Sequence, residues 1–247
     1  MSSRTLKTEA VVLRSLRFGE ADRIVHLFTK EQGRLGAIAK GARRTRSRLG
    51  GRLEPFSHAE LILHPGRGEL ATVTGAELLD AHHELALDPY RLAVGHIGVE
   101  AVLRLFIEHD ANPGAFHALV RFLEVLDRGP RAGADPALDA LGLSFQLKLL
   151  WLAGYLPHLA SCAACGSPGP LVAFSAAAGG AVCNDCQSAA QPLSTAGFEG
   201  ITGLLERPLS EADDVSLTEG AARDTLRVVQ SLHEYHGGFR LRTLAAR

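Results

Sequence analysis

Four cysteines constrain this chain more than any other residues. Cys162, Cys165, Cys183 and Cys186 fall within 25 residues in the pattern C-x2-C-x17-C-x2-C. Two residues between cysteines let one tight turn aim both sulfurs at a single ion. Two such turns complete a tetrahedron with Zn–S near ~2.3 Å. Gly166 follows the first pair and Gly179-Gly180 precedes the second, giving the knuckles the backbone freedom they need. The spacing predicts a module over residues 158–190 that holds one Zn2+. Four thiolates leave no open coordination position, so the site is structural rather than catalytic. Without an ion the thiolates would repel one another, so metal binding contributes to the module's stability. The competing reading is a set of redox-active or incidental cysteines.

Composition sets the outer bounds. With 247 residues, 46 % hydrophobic and 21 % charged, the chain is globular and long enough for one large or two ordinary domains. The stretch from Leu149 to Asn184 lacks charged side chains, but Pro157, Pro168 and Pro170 break it, so no apolar helix of about 20 residues is available to span a bilayer. Near the start only Ala10–Leu13 is an apolar run, short of the roughly 7–15 residues of a secretory core. The expectation is a cytoplasmic protein without a membrane partner, in a compartment where disulfides are rare.

The formal net charge of −1 taken alone argues against a nucleic-acid partner. Position changes that argument. Residues 1–80 hold 14 Lys or Arg and 9 Asp or Glu, whereas residues 81–247 hold 12 and 18. Between Arg34 and Arg52 there are seven basic residues and no acid: Arg34, Lys40, Arg43, Arg44, Arg46, Arg48 and Arg52. Such a block suits a phosphate polymer, and guanidinium forks suit bidentate phosphate contacts; the plainer alternative is a solvated basic loop.

The first 80 residues read as strands over Thr8–Arg14, Ile24–Lys30, Arg34–Lys40, Phe56–Leu63 and Glu69–Leu79. Turns stand at Glu31-Gln32-Gly33 and Pro65-Gly66-Arg67-Gly68. Five short strands in this space predict a small closed barrel such as an OB-fold, with an SH3-like barrel as the alternative. Phe18, Phe28 and Phe56, the aromatics of this part, read as core rather than as base-stacking platforms.

From residue 81 the pattern is helical. Asp88-Pro89, Asn112-Pro113 and Asp135-Pro136 open helices over 89–109, 113–127 and 136–154, since the Asx oxygen caps free N–H groups and Pro fits the first helical position. The first helix presents Leu92, His96, Val99, Leu103 and Phe106 on one face; the second presents Leu119, Phe122, Leu123 and Leu126. The third is apolar on most sides and so central. A shorter helix is expected around Phe198–Glu206. Ser216 with Glu219 forms a capping-box pattern for a last helix that stops at Gly237-Gly238. The fold class is therefore α+β: a barrel over 1–80, then a helical domain over 81–247 with an inserted zinc module.

The segment VVLRSLRFGEADRIVHLFTKEQGRLGAIAKGARRTRSRLGGRLEPF (Val11 to Phe56) closely resembles the N-terminal domain of the bacterial RecO recombination-repair family. The matching residues are Gly19-Glu20 before Asp22-Arg23, Thr29 with Gly33, Lys40-Gly41-Ala42-Arg43-Arg44, Ser47, and Leu53 with Pro55-Phe56. LLWLAGYLPHLASCAACG (Leu149 to Gly166) resembles the family's helix entering its cysteine module, and Gly180, Cys183 and Cys186 follow in order. The resemblance implies a nucleoid-associated mediator without a catalytic centre. Such a protein binds single- and double-stranded DNA, anneals complementary strands, and works with RecR to load RecA onto DNA coated by single-stranded-DNA-binding protein. It also implies that the helical domain engages the acidic, apolar tail of that coating protein, with Arg91, Arg104, Arg121 and Arg128 as candidate cations.

Two other classes stay open. One is a zinc-stabilised adaptor whose basic loop binds RNA or an acidic protein; the other is an enzyme that uses the zinc module as a scaffold. The sequence has no P-loop, G-x-S-x-G or H-E-x-x-H, and Gly66-x-Gly68 reads as a hairpin turn. The pairs His82-His83 and His233/His236 lack carboxylates at ligand spacing and read as ordinary histidines. Asp213-Asp214 reads as the end of a turn.

Overall fold

A computed structural model describes residues 5–66 and 68–245; Arg67 of the predicted turn and the first four residues lie outside the described residues. Five strands come first: β1 (Leu6–Phe18), β2 (Asp22–Thr29), β3 (Gly33–Ala39), β4 (His58–His64) and β5 (Ala71–Asp80). Helices α1 (His83–Leu87), α2 (Pro89–Leu105), α3 (Pro113–Arg128) and α4 (Ala140–Leu152) follow. Then come short strands β6 (Leu171–Ser175), β7 (Gly180–Cys183) and β8 (Gln191–Pro192), and helices α5 (Thr195–Glu206), α6 (Glu219–Gly237) and α7 (Arg242–Ala245).

The chain divides into two compact units. The first runs to Asp88 and takes in Phe106–Arg128; the second comprises Pro89–Leu105 and the residues from Gly129 onward. Helix α3 thus belongs with the barrel, not with the helical part expected to start at residue 81.

In the first unit the strands close in the order β1-β2-β3-β5-β4. β1 pairs with β2 through Ala10–Phe18 and with β4 through Leu6–Val11, and an irregularity between Val12 and Arg14 lets this long strand bend. The parallel pairs Ala37↔Ala71 and Ile38↔Thr72 complete the closure. This order is that of an OB-fold and disposes of the SH3-like alternative. Val12, Val25, Leu27, Leu35, Leu61, Leu63 and Val73 fill the interior, and Leu53 from the basic loop joins them. Helix α3 buries Phe116, Leu119, Phe122, Leu123 and Leu126, the last four as its periodicity predicts. Phe28 lies 5.5 Å from the Phe106 ring and 6.3 Å from that of Phe116. Asn112 caps α3 by accepting the Ala115 N–H at 2.9 Å, as expected.

In the second unit α4 is the central helix, with every residue from Leu141 to Leu147 buried. It starts later than predicted. Asp135 caps only a short 3-10 turn over Pro136–Leu138, and the true N-cap is Asp139, which accepts the Gly142 N–H at 2.9 Å. Helix α2 ends at Leu105, and its buried residues are Val94, Gly95, Ile97, Gly98, Val99, Ala101 and Val102; of the predicted face Val99 is buried, as is Phe106 just past the helix, whereas Leu92 and Leu103 are half-buried and His96 is exposed. Small residues weigh little in a hydrophobicity pattern, yet they let a neighbouring helix come close; a Cβ on Gly142 of α4 would stand 3.3 Å from the Val94 side chain. Helix α6 is capped by Thr218, which accepts the Ala221 N–H, rather than by Ser216. It ends as expected, at Gly238 in the left-handed conformation (φ 65°).

Candidate nucleic-acid interface and metal site

The basic residues 40–52 lie in the connection between β3 and β4, and apolar anchors hold that connection down. Ala42 and Leu53 are buried in the barrel core. Phe56 is buried in the left-handed region (φ 70°), its N–H donating to Val12 O at 2.8 Å. Around these anchors Lys40, Arg43, Arg44, Arg46, Arg48 and Arg52 are all exposed. Local turns stiffen the span, with Arg44 N–H on Gly41 O (3.1 Å) and Ser47 N–H on Arg44 O (2.9 Å).

The motif residues around the β1–β2 turn clamp this loop at both ends. Asp22 Oδ1 accepts the Gly41 N–H at 2.7 Å, where Gly41 takes φ 64°. The Arg43 N–H donates to Ala21 O (2.8 Å), and its guanidinium donates to Glu20 O (3.1 Å) and Gly19 O (3.3 Å). Arg23 donates to Ser15 Oγ at 3.0 Å and pairs with Glu54 at 2.7 Å, fixing the far end of the loop. Asp22, Arg23 and Glu54 therefore hold the loop in place. Sequence reasoning recognised Asp22-Arg23 only as part of a family pattern.

Arg34 does not join the other six. It sits in β3, half-buried, donating to Phe106 O at 2.6 Å and facing Glu108 at 3.6 Å. Burial, opposed by Glu108, pulls its pKa below the ordinary value. Its charge is spent inside the unit, tying residues 106–108 to β3. Among the described residues Lys40, Arg44, Arg46 and Arg48 carry no ion pair, so their charge is available to a ligand. The barrel also has an acidic side: Glu9↔Glu60 and Glu60↔Glu77 are register neighbours across β1, β4 and β5, with Lys7 and Lys30 partly offsetting them. The barrel is thus acidic on that side and basic at the loop.

Phe28 and Phe56 are core, as expected. Phe18 is not: at the end of β1 it is 49 % exposed.

In the second unit the four cysteines converge. Their sulfurs all lie within 4.8 Å of one another. Cys165 and Cys183 Sγ stand 3.8 Å apart, far beyond the ~2.05 Å of a disulfide. Four sulfurs at ~2.3 Å from one ion, in a tetrahedron, would stand about 3.8 Å apart, so the set fits a metal. Gly166 (φ 78°) and Gly179 (φ 81°) turn the two knuckles. A Cβ on Gly180 would come within 2.1 Å of His158 O, so that residue must be glycine for the knuckles to meet. The Cys183 N–H donates to Cys162 Sγ at 3.4 Å and is the main reason the Cys162 thiol is pulled down to about 6. Hydrogen bonding with Cys165, then Cys183, pushes Cys186 up to about 12. The three-stranded sheet β7-β6-β8 carries this cluster, between α4 and α5 as predicted.

The histidines have other occupations. His82 donates from Nδ1 to Phe56 O at 2.9 Å. His233 is buried against Phe239 (5.2 Å), and His236 stacks on Tyr155 (4.3 Å). Asp213 accepts from Arg131 at 2.6 Å. Of the cations considered for the tail, Arg121 pairs with Glu124, Arg128 with Asp80, and Arg104 lies over Phe239.

A five-stranded OB-type barrel bearing a clamped basic loop, followed in sequence by a helical part with a four-cysteine cluster, defines a class, and the sequence comparisons agree on which. Residues 1–82 match the family described as "Recombination protein O N terminal" and residues 86–245 match "Recombination protein O C terminal". The chain belongs to the recombination protein O family. Among its relatives is a protein of Rubrobacter xylanophilus named "DNA repair protein RecO", 39 % identical over 229 residues, which cover 90 % of this chain and 89 % of that protein.

Proposed function

We propose that this chain is a non-enzymatic DNA-repair mediator that binds single- and double-stranded DNA through the loop 40–52 and anneals complementary strands. With RecR it helps load RecA onto DNA coated by single-stranded-DNA-binding protein. The observation that carries this reading is the basic loop itself: six outward cations, no acid within the loop before Glu54, and a rigid clamp to the β1–β2 turn. Such a rim can hold two phosphate backbones together and lower their repulsion until bases pair. Phosphate contacts carry no sequence information, which suits a general repair factor. Membership of the recombination protein O family and the name of the Rubrobacter relative support the DNA substrate.

The cysteine cluster takes one Zn2+, which stabilises its module and leaves no position for substrate. No described helix is long and apolar enough to cross a membrane. An apolar groove of about 510 Å³ on the second unit, lined by Trp151, Leu156, Leu159, Phe198 and Leu205, favours the helical part as the seat of the coating protein's tail. The groove's lining also includes Glu206, and Lys148 of α4 donates to Leu205 O at 2.9 Å.

The test is annealing of complementary oligonucleotides with no nucleotide cofactor. The wild type accelerates it and the Arg43→Ala/Arg44→Ala/Arg46→Ala/Arg48→Ala variant does not. Equal acceleration by both removes the loop from the function; none by either favours an adaptor that binds RNA or an acidic protein. With about four phosphate contacts, affinity falls on the order of 10²-fold between about 50 and 200 mM salt.

A further inference from the structure

The loop accounts for phosphate affinity but gives no reason to prefer an unpaired strand. Phe18 supplies one. It is the last residue of β1, and its ring is about half exposed at the tip of the first hairpin. Its cross-strand neighbour is Asp22, and directly opposed residues in an antiparallel pair share a face with Cβ atoms about 5 Å apart. Asp22 in turn grips the Gly41 N–H at 2.7 Å. Phe18, Asp22 and Gly41 therefore stand in a row, and Lys40, Arg43 and Arg44 flank Gly41. The two bonds from Arg43 to the carbonyls of Gly19 and Glu20 hold the same tip against the same loop. An exposed aromatic ring is thus fixed beside a string of exposed cations. Of the two acids at the tip, Glu20 is exposed, and Asp22 is half-buried with its Oδ1 engaged by the Gly41 N–H.

We infer that Phe18 is a base-stacking platform: an unpaired base of single-stranded DNA lies on its ring while the neighbouring phosphates lie along Lys40–Arg44. A stacked ring beside a cationic track is the general physical solution for holding a single strand without reading its sequence, because every base has a π-face. A duplex keeps its bases stacked on one another and offers the ring nothing. The loop then binds both forms of DNA, and Phe18 makes the difference between them. This inference rests on the loop being the DNA interface.

Anisotropy titrations of the full chain with three labelled probes test it: an oligothymidylate, an abasic oligomer of equal length and charge, and a duplex. The wild type binds the oligothymidylate about 10-fold tighter than the abasic strand. Phe18→Ala and Phe18→Leu bind both strands alike, at the wild-type abasic affinity, and bind duplex as the wild type does. Phe18→Trp restores the preference. If the Leu variant keeps the preference, or the wild type has none, the platform is overturned while salt-dependent binding still upholds the loop. If Phe18→Ala loses affinity equally for all three probes, the ring merely props the loop and the inference fails. If the wild type binds none of them, the loop reading falls and takes this one with it.

Discussion

At the residue scale, two arginines that look alike in the sequence do opposite work. Arg34 is held by Phe106 O and Glu108, whereas Arg44 projects from the loop with no ion pair among the described residues. Arg44→Ala is expected to lower the slope of log affinity against log salt by about 1 and to leave stability within about 0.5 kcal/mol. Arg34→Ala is expected to leave the slope alone and to cost about 1.5–3 kcal/mol, since it deletes a charged donor to a half-buried carbonyl. Salt titration and urea denaturation of the two variants separate these outcomes. His233 gives a pH signature. Burial holds its pKa at about 4, below the ordinary value of 6.5, so the unfolded chain binds the proton more readily. Its contribution is fully present above about pH 6.5 and is lost as pH falls from there to about 4, on the order of 3 kcal/mol in all. His233→Phe is expected to flatten the stability profile across that window, as read by denaturant midpoints.

At the scale of elements, caps and turns separate what local pattern reveals from what it hides. Asn112 and Gly238 act where the sequence places them, because a cap needs only its own few residues. The start of α4 was misplaced because two aspartates, each able to cap, lie four residues apart, and only the second meets the continuing helix. Asp139→Ala is therefore expected to destabilise the protein by about 1–2 kcal/mol, and Asp135→Ala by a few tenths, in thermal or urea unfolding. The buried face of α2 departs from the predicted one, except at Val99, for a different reason. Its glycines and alanines carry little hydrophobic signal, and their burial depends on how close a second helix comes. Phe18 shows the converse: an aromatic in a strand suggests core, but at a strand end no layer of side chains covers it.

At the scale of the whole molecule, the two units carry separable properties. Removing the metal with a strong chelator, or changing Cys162 and Cys165 to Ser, is expected to abolish a zinc content of about one per chain and to unfold the module over residues 158–190. The salt-dependent affinity of the loop is expected to persist, which elemental analysis and DNA titration of the same sample check together. By itself the sequence determined the five barrel strands, the cysteine spacing, the starts of α2 and α3 and the charge block from residue 34 to 52. Each is written in periodicity or in residues close along the chain. Only the tertiary structure decided which of the seven basic residues face outward, what Asp22 and Arg23 hold, and that α3 belongs with the barrel. The physical reason is that a side chain's burial and partners are set by neighbours distant in sequence. Arg34 meets a carbonyl 72 residues away, and Asp22 grips a glycine 19 residues on.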